Sequence, residues 1–325
     1  MSRMQEKITN SPDKVYAGID VGKERLDLFI YPYGLTRTVD NTPTGIKTLV
    51  DFCLDHKVTL IALEATGKYH RRAHETLHEA GLAVAVVNPF RSRQFADSMG
   101  KLAKTDGIDA SVLARFAQRM EPQATIPPKA DSKALSELQT ARRQVVDEIS
   151  DLKRRLQSAE HDLAAEQIAA RIALAEGHKV VLEQEIQKLI SADKEMKAKC
   201  DILTSIPGIG KTTAALLISD LDELGRVNAR QISALAGVAP MNWDSGTKHG
   251  NRMIRGGRRR VRNALYMCAV TCSRRSDTFG RTYQNLIKRG KNPKVALTAV
   301  MRKLVIIANT LITEDRHWQA HKPGL

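Results

Sequence analysis

The sequence is short of cysteine and contains no closely spaced pair of the kind that binds zinc or forms a redox site. We therefore expect reduced thiols, and we interpret Cys268 and Cys272, which would share one helix face, as packing residues. The sequence also lacks a run of eighteen uncharged apolar residues, and the polar residues 1–14 have no signal-peptide core. These absences predict a cytoplasmic protein with no membrane span and a disordered N-terminus over residues 1–14. The four cysteines are Cys53, Cys200, Cys268 and Cys272.

Acidic residues are also scarce relative to basic ones. The chain has 36 Asp and Glu against 51 Lys and Arg, which gives a formal net charge of +15. A basic surface kept only for solubility would be scattered, whereas much of this excess falls after residue 245. Such a concentration predicts a polyanionic partner, with nucleic acid the leading candidate, and hence a nucleoid-associated protein.

The first third of the chain alternates between strand and helix periodicity. Strands are predicted at Val15–Asp20, Arg25–Tyr31, near Arg37–Asp40, at Val58–Leu63 and at Ala83–Val87. Helices are predicted from Pro43 to about His56, from Tyr69 to Ala80 and from about Thr105 to Gln118. Three strands, then helix, strand, helix, strand and helix, is the order of an α/β RNase H-like (RuvC-like) fold, which we expect over residues 15–121.

A proline-rich linker, Pro122–Lys129, separates this region from a segment without proline. Residues 132–203 contain a single glycine, Gly177, and a heptad seam that resumes after it. We therefore predict two long helices over residues 130–203, forming a coiled-coil hairpin or a dimer arm. The seam residues are Leu135, Leu138, Val145, Ile149, Leu152, Leu156, Ala159 and Leu163, then Leu182, Ile186, Leu189, Met196, Cys200 and Leu203.

Four carboxylates occupy positions that the predicted fold would bring together. Asp20 ends the first strand, Glu64 closes the fourth, and Asp106 and Asp109 share one face of the last helix. Clustered carboxylates repel one another unless divalent cations neutralise them, and their oxygens suit Mg²⁺ or Mn²⁺. Each acid alone could be a strand-end or helix-capping residue, but the quartet predicts a two-metal nuclease site. Gly22 stands where a proofreading exonuclease would need a second acid.

A Pro-Gly-Ile-Gly turn joins two helical stretches between Leu203 and Lys211. This turn resembles the hairpin of helix-hairpin-helix modules, whose backbone amides hold a phosphate, and it predicts phosphate contacts at Gly208, Gly210 and Lys211. A nucleotide-binding P-loop is the competing interpretation, but Ser205 stands where its first glycine belongs.

Six arginines and no acid lie between Asn251 and Asn263. A series of this kind suits a phosphate backbone, and we expect binding to weaken steeply with salt. The predicted contacts are Lys248, Arg252, Arg255, Arg258, Arg259, Arg260 and Arg262. The nearby Ser245 is not distinguished by physical chemistry alone, since a serine nucleophile needs a base or a metal.

These segments together resemble the bacterial insertion-sequence family numbered one hundred and ten, the DEDD transposases associated with a bridge RNA. The resemblance covers almost everything from Val15 to Leu311. Its N-terminal motifs are Gly18-Ile-Asp20-Val, Leu63-Glu64-Ala-Thr-Gly67 and Lys104-Thr-Asp106-Gly-Ile-Asp109-Ala. Its C-terminal motifs are Ile206-Pro-Gly-Ile-Gly210, Leu235-Ala-Gly-Val-Ala-Pro240 and Ser245-Gly246.

The resemblance implies a serine-dependent, RNA-guided recombinase. Asp20, Glu64, Asp106 and Asp109 would be a RuvC-like metal site for Mg²⁺ or Mn²⁺, and Ser245 would form a phosphoserine link to cleaved DNA without ATP. A structured bridge RNA would pair with target and donor DNA. The serine would belong to a C-terminal transposase domain, residues 204–312, followed by a tail, residues 313–325.

The two proposed catalytic groups lie in different domains, so the resemblance also implies a composite site shared by subunits of a homo-oligomer, a dimer or a tetramer. Whether Asp244 or His249 assists proton transfer stays open. Two other functions remain as alternatives: a Mg²⁺-dependent junction-resolving endonuclease that uses only the carboxylates, and a non-catalytic basic scaffold for nucleic acid. The scaffold is disfavoured because four acids in a basic chain would weaken backbone binding unless a metal needed them.

Overall fold

The computed structural model describes residues 14–100, 106–242, 250, 252–275 and 277–319. The chain divides into two units, Met1–Pro128 and Lys129–Leu325. Each unit contains its own cluster of buried apolar side chains, and each is therefore described separately.

Unit 1 is a mixed five-stranded sheet with helices. Its elements are β1 (Val15–Val21), β2 (Arg25–Tyr31), β3 (Leu35–Asp40), α1 (Pro43–Asp55), β4 (Val58–Glu64), α2 (His70–Glu79), β5 (Val84–Val87), α3 (Pro89–Ser98) and α4 (Asp106–Met120). The strand order is β3-β2-β1-β4-β5. The first three strands are antiparallel, whereas β1, β4 and β5 run parallel. Each element predicted from the sequence in this region is present, and α3 is an addition that the sequence analysis did not predict.

The two-residue alternation of the strands decides which side chains face helix α4. In β1, Val15, Ala17 and Ile19 pack in the core that includes α1 and α2, whereas Tyr16 packs with α4 residues on the other face. Asp20 follows Tyr16 by four positions and therefore lies on the α4 face. In β4, Ala62 packs in the α4 cluster, so Glu64 at the strand end also lies on that face.

Helix α4 approaches strand β1 unusually closely because Gly18 has no side chain. A β-carbon placed on Gly18 would lie 2.1 Å from the Ala110 carbonyl oxygen and 2.3 Å from the Ala114 nitrogen. Both are backbone atoms, which cannot rotate away. The glycine therefore permits the close packing that brings the start of α4 to the end of β1.

Unit 2 begins with a helical hairpin formed by α5 (Ala130–Gln157) and α6 (Asp162–Ala192). The two helices are antiparallel, as two ion pairs between them indicate. Arg142 pairs with Glu183 near the base of the hairpin, and Lys153 pairs with Glu176 nearer the turn. The His161 side chain caps α6 by accepting a hydrogen bond from the Leu163 amide.

The predicted position of the helix break was wrong. Gly177 lies inside α6, and the chain turns instead at residues 158–161, with a second break at Asp193, whose side chain accepts from the Met196 amide. Leu163, assigned to the predicted seam, is exposed. A glycine inside a helix costs only about 1 kcal/mol relative to alanine, which packing along the hairpin offsets.

The rest of unit 2 is mostly helical. Its elements are α7 (Lys194–Ser205), α8 (Lys211–Asp220), α9 (Ala229–Leu235), β6 (Pro240–Met241), β7 (Met253–Ile254), α10 (Arg259–Arg275), α11 (Asp277–Lys288) and α12 (Pro293–Thr313). Helix α12 is long and apolar enough to cross a membrane by length and composition, with a mean hydropathy of 1.8. Half of that stretch is buried, and residues such as Val300, Leu304 and Ala308 lie in the core of unit 2, so α12 has the character of a core helix.

Candidate functional site

Three of the four predicted metal-binding carboxylates line one cavity in unit 1. Asp20, Glu64 and Asp109 surround a cavity of about 450 Å³ at the carboxyl end of the parallel strands β1 and β4. Each of the three side chains is partly buried. Asp106 begins helix α4, but its side chain lies outside the described residues. Asp20, Glu64 and Asp109 thus share one cavity, and their role as metal ligands stays a prediction.

Helix α3 supplies residues of this cavity that the sequence analysis missed. Ser92 is buried, and its hydroxyl lies 2.8 Å from Glu64 Oε2 and 3.0 Å from the Pro89 carbonyl oxygen, so it positions the Glu64 carboxylate. Arg93 also lines the cavity, and its guanidinium lies 3.4 Å from Asp97. Asn88 followed by Pro89 was a usable signal for this helix, because Asn88 caps it and proline is favoured in the first turn.

Asp27 is a further acid in the cavity that the sequence analysis did not single out. It stands directly opposite Asp20 in the antiparallel β1–β2 pairing, and both residues line the cavity. Side chains of directly opposed residues lie on the same face about 5 Å apart, and two like charges there are destabilising. Thr38 Oγ1 donates a hydrogen bond to Asp27 Oδ1, and Arg25 also lines the cavity. A cation in this cavity would relieve the remaining repulsion.

The donor chemistry of the cavity fits a hard divalent cation. Its acids, Asp20, Asp27, Glu64 and Asp109, offer only carboxylate oxygens, the ligands that Mg²⁺ and Mn²⁺ prefer. Within the described part of the chain, no three acidic, histidine or cysteine side chains are close enough together to hold an ion. The acids thus suit the cation in chemistry and share one cavity, but the described side chains do not converge on a single ion position, and the side chain of Asp106 lies outside that comparison.

Ser245 and Lys248 lie outside the described residues, as do Asp244 and His249. The short strands β6 and β7 pair antiparallel on either side of this segment, with Pro240 opposite Ile254 and Met241 opposite Met253. The two ends of the serine-containing segment are thus held together on unit 2.

The structure divides the six predicted arginine contacts into two groups. Arg258 forms a bidentate ion pair with Glu223, in which Nη1 donates to Oε2 at 2.5 Å and Nη2 donates to Oε1 at 2.8 Å. Arg260 Nε lies 3.3 Å from Asp220 Oδ2, an acid whose side chain is 10% exposed. The Arg262 guanidinium donates to the Gly256 carbonyl oxygen at 2.7 Å.

The remaining three arginines, Arg252, Arg255 and Arg259, are exposed and form no ion pair with any described residue. The two acid partners in the first group are far away in sequence, since Asp220 ends α8 and Glu223 follows it in the α8–α9 connection. The predicted nucleic-acid role therefore stays a prediction for all six, and it has its strongest support at these three exposed side chains.

The acids near Arg258 have shifted pKa values in opposite directions. Burial tends to raise the pKa of Glu223, but the hydrogen bonds and positive charge of Arg258 outweigh it, so the pKa is lowered. Burial raises the pKa of Asp222, and the neighbouring Glu223 charge raises it further. Arg258 thus serves a structural ion pair at the junction between α10 and the α8–α9 connection.

The Pro-Gly-Ile-Gly turn lies between α7 and α8, as predicted. Gly208 has a φ of +86°, and a β-carbon there would lie 2.9 Å from the Cys272 β-carbon and 3.0 Å from the Cys268 carbonyl oxygen. This glycine therefore packs against α10, whereas Gly210 and Lys211 are exposed at the start of α8. Cys268 and Cys272 are buried free thiols, which confirms their interpretation as packing residues. Phosphate binding by the turn stays a prediction.

Comparison with known proteins places the chain among transposases. A transposase family model, that of the IS110 DEDD transposases, matches residues 17–159, and a model of the transposase IS116/IS110/IS902 family matches residues 200–284. The first match contains Asp20, Glu64, Asp106 and Asp109, and the second contains Ser245 and the six arginines. Together the two matches cover more than half of the chain.

Curated relatives agree with the family models. The pilin gene-inverting protein of Moraxella bovis is 29% identical over 323 residues, which cover 93% of this chain and 97% of that protein. The pilin gene-inverting protein of Moraxella lacunata matches at the same identity and coverage. An uncharacterized 43.6 kDa protein of insertion element IS110 from Streptomyces coelicolor is 28% identical over 166 residues, 50% of this chain and 40% of that protein. The chain belongs to the IS110 family of transposases, enzymes that recombine DNA.

Proposed function

We propose that the protein cuts and rejoins DNA through a covalent phosphoserine intermediate formed by Ser245 and assisted by metal-binding carboxylates in unit 1. The observation that carries this proposal is the shared cavity of Asp20, Glu64 and Asp109 at the end of strands β1 and β4. Membership of a transposase family supports recombination over a non-catalytic scaffold.

Unit 1 is proposed to be a RuvC-like domain over residues 15–121. The strand order β3-β2-β1-β4-β5, with three antiparallel strands followed by two parallel ones, supports this assignment. The packing of α4 across β1 supports it as well. In unit 2, residues 130–203 are proposed as a coiled-coil arm and residues 204–312 as the serine-containing transposase domain.

Asp20, Glu64, Asp106 and Asp109 are proposed to hold Mg²⁺ or Mn²⁺, with Asp27 adding negative charge next to Asp20. A bound divalent ion would stabilise the charge that develops on a phosphodiester during cleavage. Ser92 would keep the Glu64 carboxylate oriented through its hydrogen bond.

In the proposed reaction, a phosphoryl group of the DNA is transferred first to Ser245 and then to a second DNA strand. Ser245 Oγ attacks the scissile phosphorus, the Oγ–P bond forms, and the bond from phosphorus to the 3′-oxygen breaks. The serine proton is lost, and the leaving oxygen ends as a 3′-hydroxyl. A 3′-hydroxyl of a second strand then attacks the phosphoserine and frees Ser245. The number of phosphoester bonds is conserved, so no ATP is required.

The proposed partners are target and donor DNA and a structured bridge RNA, with base pairing rather than the protein selecting the sequence. The exposed cations Arg252, Arg255, Arg259 and Lys211 support contact with a polyanion. Because Ser245 and the four acids belong to different units, we propose a composite site in a homo-oligomer, which acts in the cytoplasm on nucleoid DNA.

The test is to trap the covalent intermediate. Purified protein with its copurified RNA is incubated with labelled junction DNA and Mg²⁺, and a denaturation-resistant protein–DNA adduct is sought. We expect the adduct with wild type and its loss in Ser245→Ala and in Asp20→Asn. Asp51→Asn, an exposed acid of α1 outside the cavity, is the matched control and should keep the adduct.

Two outcomes would contradict the proposal. Metal-dependent cleavage that survives Ser245→Ala without any adduct would make the protein a hydrolytic, junction-resolving endonuclease. An adduct that persists in Asp20→Asn would remove the carboxylates from the reaction. RNA guidance is tested in the same assay, since ribonuclease treatment before DNA is added should abolish the adduct.

A further inference from the structure

Unit 2 contains a second cavity that the proposed chemistry does not use. It has a volume of about 670 Å³ and lies between the β6–β7 pair, α10 and α12. A cavity of this size accommodates a small organic molecule or a nucleoside. We call it the basic cleft.

Part of the lining of the basic cleft is apolar and exposed. Met253 of β7 is 71% exposed, Val295 of α12 is 55% exposed, and the Tyr266 ring of α10 is 39% exposed. Apolar side chains clustered at a concave surface indicate a ligand with an apolar face. The aromatic ring indicates stacking, because every nucleobase offers a flat π-face.

Another part of the lining of the basic cleft is positive. Arg252, Arg262, Lys294 and Arg302 line the cleft, and no carboxylate is among the lining residues that the structure describes. Arg252, Lys294 and Arg302 form no ion pair with any described side chain, so their charges are available to a ligand. A lining that combines apolar side chains with cations fits a molecule that carries both flat apolar rings and phosphates.

Unpaired DNA fits this combination and duplex DNA does not. In a duplex the bases are stacked on one another and only the phosphate backbone and groove edges reach a protein surface. An unpaired strand can place its bases against Tyr266 and Met253 while its phosphates contact the cations that line the cleft. The strands β6 and β7 that border the cleft also flank the segment containing Ser245. Residues that would contact a nucleotide in the cleft are therefore close in sequence to the proposed nucleophile.

We infer that the basic cleft binds unpaired DNA nucleotides, with a base stacked on Tyr266 and the backbone held by Lys294 and Arg302. The inference rests on the proposed function only in taking DNA as the ligand, and it is independent of the phosphoserine step. It adds Tyr266, Met253, Lys294 and Arg302 to the residues that contact nucleic acid.

Binding is measured in EDTA, where no cleavage occurs, by fluorescence anisotropy of a labelled oligothymidylate and of a duplex with oligodeoxyadenylate. We expect Tyr266→Leu to weaken single-strand binding about tenfold, the size of one base–aromatic stack, and to leave duplex binding within about twofold. Lys294→Gln with Arg302→Gln should weaken single-strand binding and reduce its salt dependence. The controls are Tyr33→Leu in unit 1 and Arg230→Gln at the start of α9, both exposed and outside the cleft.

Photocrosslinking of wild type with an iododeoxyuridine oligonucleotide keeps the test valid if a variant misfolds. We expect crosslinked peptides from β7 or from the Tyr266 region of α10. Equal loss of single-strand and duplex binding in Tyr266→Leu, unchanged single-strand binding, or crosslinks only elsewhere would overturn the inference. A Tyr266 dependence seen with oligouridylate and not with oligothymidylate would assign the cleft to RNA and also overturn it. Because EDTA blocks catalysis, this assay measures binding alone. A negative binding result therefore leaves the adduct test of the proposed function unaffected, and a negative adduct test leaves this binding test unaffected.

Discussion

Gly18 is the residue at which strand β1 and helix α4 come closest. Because a β-carbon there would meet the backbone at Ala110 and Ala114, the only response to a side chain is to move the helix. Asp109 lies on the same helix, one residue before Ala110. The geometry of the acid cavity therefore depends on a residue that has no functional group.

We expect Gly18→Ala to lower the free energy of unfolding by about 1–3 kcal/mol, as overpacking does, and to abolish adduct formation by displacing Asp109. Thermal denaturation and the adduct assay check this. Gly177→Ala is the matched control, because open space surrounds that exposed helical glycine. A Gly18→Ala protein with wild-type stability and adduct yield would show that α4 does not depend on this contact.

Asp27 gives a second prediction at the scale of single residues. Since Asp27 opposes Asp20 across the β1–β2 pair, its charge repels Asp20 when no cation is bound and attracts a cation to the cavity. We expect Asp27→Asn to leave the metal-free protein at least as stable as wild type and to reduce the rise in Tm that Mn²⁺ produces. Asp51→Asn should change neither value. A full Mn²⁺ response in Asp27→Asn would exclude Asp27 from the metal site.

The pKa shift of Glu223 predicts how stability depends on pH. A carboxyl whose pKa is lowered on folding contributes stability above its unfolded pKa, and that contribution is lost as the pH falls through the folded pKa. We expect Glu223→Gln to be less stable than wild type by about 1–2 kcal/mol at neutral pH, a modest value because about a third of each partner's side chain is exposed.

Urea denaturation across the acid range tests this, and the difference between the two proteins should shrink as the pH falls below the ordinary glutamate value of 4.5. Acids that do not interact with Glu223 cancel in the difference. Asp222 does not cancel, because the Glu223 charge raises its pKa, and it acts in the opposite direction by reducing the difference at neutral pH. A difference that stays constant with pH would mean that the ion pair adds no stability of its own.

The pairing of Arg258 and Arg260 could not be predicted from the sequence. Their acid partners Glu223 and Asp220 lie more than thirty residues away, and only the packing of α10 near the end of α8 brings them together. By contrast, the sequence pattern was sufficient for Asp20 and Glu64, because strand periodicity alone decides the face on which they lie. Local periodicity is visible in a sequence, whereas pairing over long separations is not.

At the scale of elements, the α5–α6 hairpin has an apolar face that is exposed rather than packed against the rest of the described part of unit 2. Leu174 and Val181 are seven residues apart on one face of α6, and each is 62% exposed. We expect this face to join copies of the chain. Leu174→Gln with Val181→Gln should therefore lower the mass measured by light scattering while the helical circular dichroism is kept.

The matched control is Leu54→Gln, an exposed leucine of α1 in unit 1. It should leave the mass unchanged. A double variant with the mass of wild type, or a wild type that is monomeric, would exclude this face as the contact between subunits.

The elements also differ in how well the sequence predicts them. The start of α1 was predicted at Pro43, and the structure places this proline in the first turn, directly after the Thr42 cap. The hairpin turn at residues 158–161 contains neither glycine nor proline. The sequence therefore has no helix-breaking residue at the turn, and Gly177 was the only such signal between residues 132 and 203. The actual boundary depends on the packing between the two helices and on the His161 cap.

At the scale of the whole molecule, the net charge of +15 predicts DNA binding that weakens steeply with salt. Each arginine that contacts a phosphate adds about one to the slope of log affinity against log salt. We expect Arg259→Gln to reduce that slope by about one. Arg260→Gln should leave the slope unchanged, because Arg260 already pairs with Asp220.

Filter binding over a series of salt concentrations measures both slopes, and thermal denaturation should show a loss of stability only for Arg260→Gln. Equal slopes for Arg259→Gln and wild type would place Arg259 outside the DNA contact. A reduced slope for Arg260→Gln would mean that DNA displaces Asp220.

The hairpin also has a defined length. Helix α5 has 28 residues, which at about 1.5 Å per residue extend roughly 42 Å. Its base joins the core of unit 2 through Leu135 and Ile186, and its turn is at the far end. From Leu135 to the turn the helix extends roughly 33 Å, close to one turn of B-form DNA, about 34 Å. If subunits join through the exposed face of α6, we expect the length of this hairpin to determine how far apart two bound DNA segments lie.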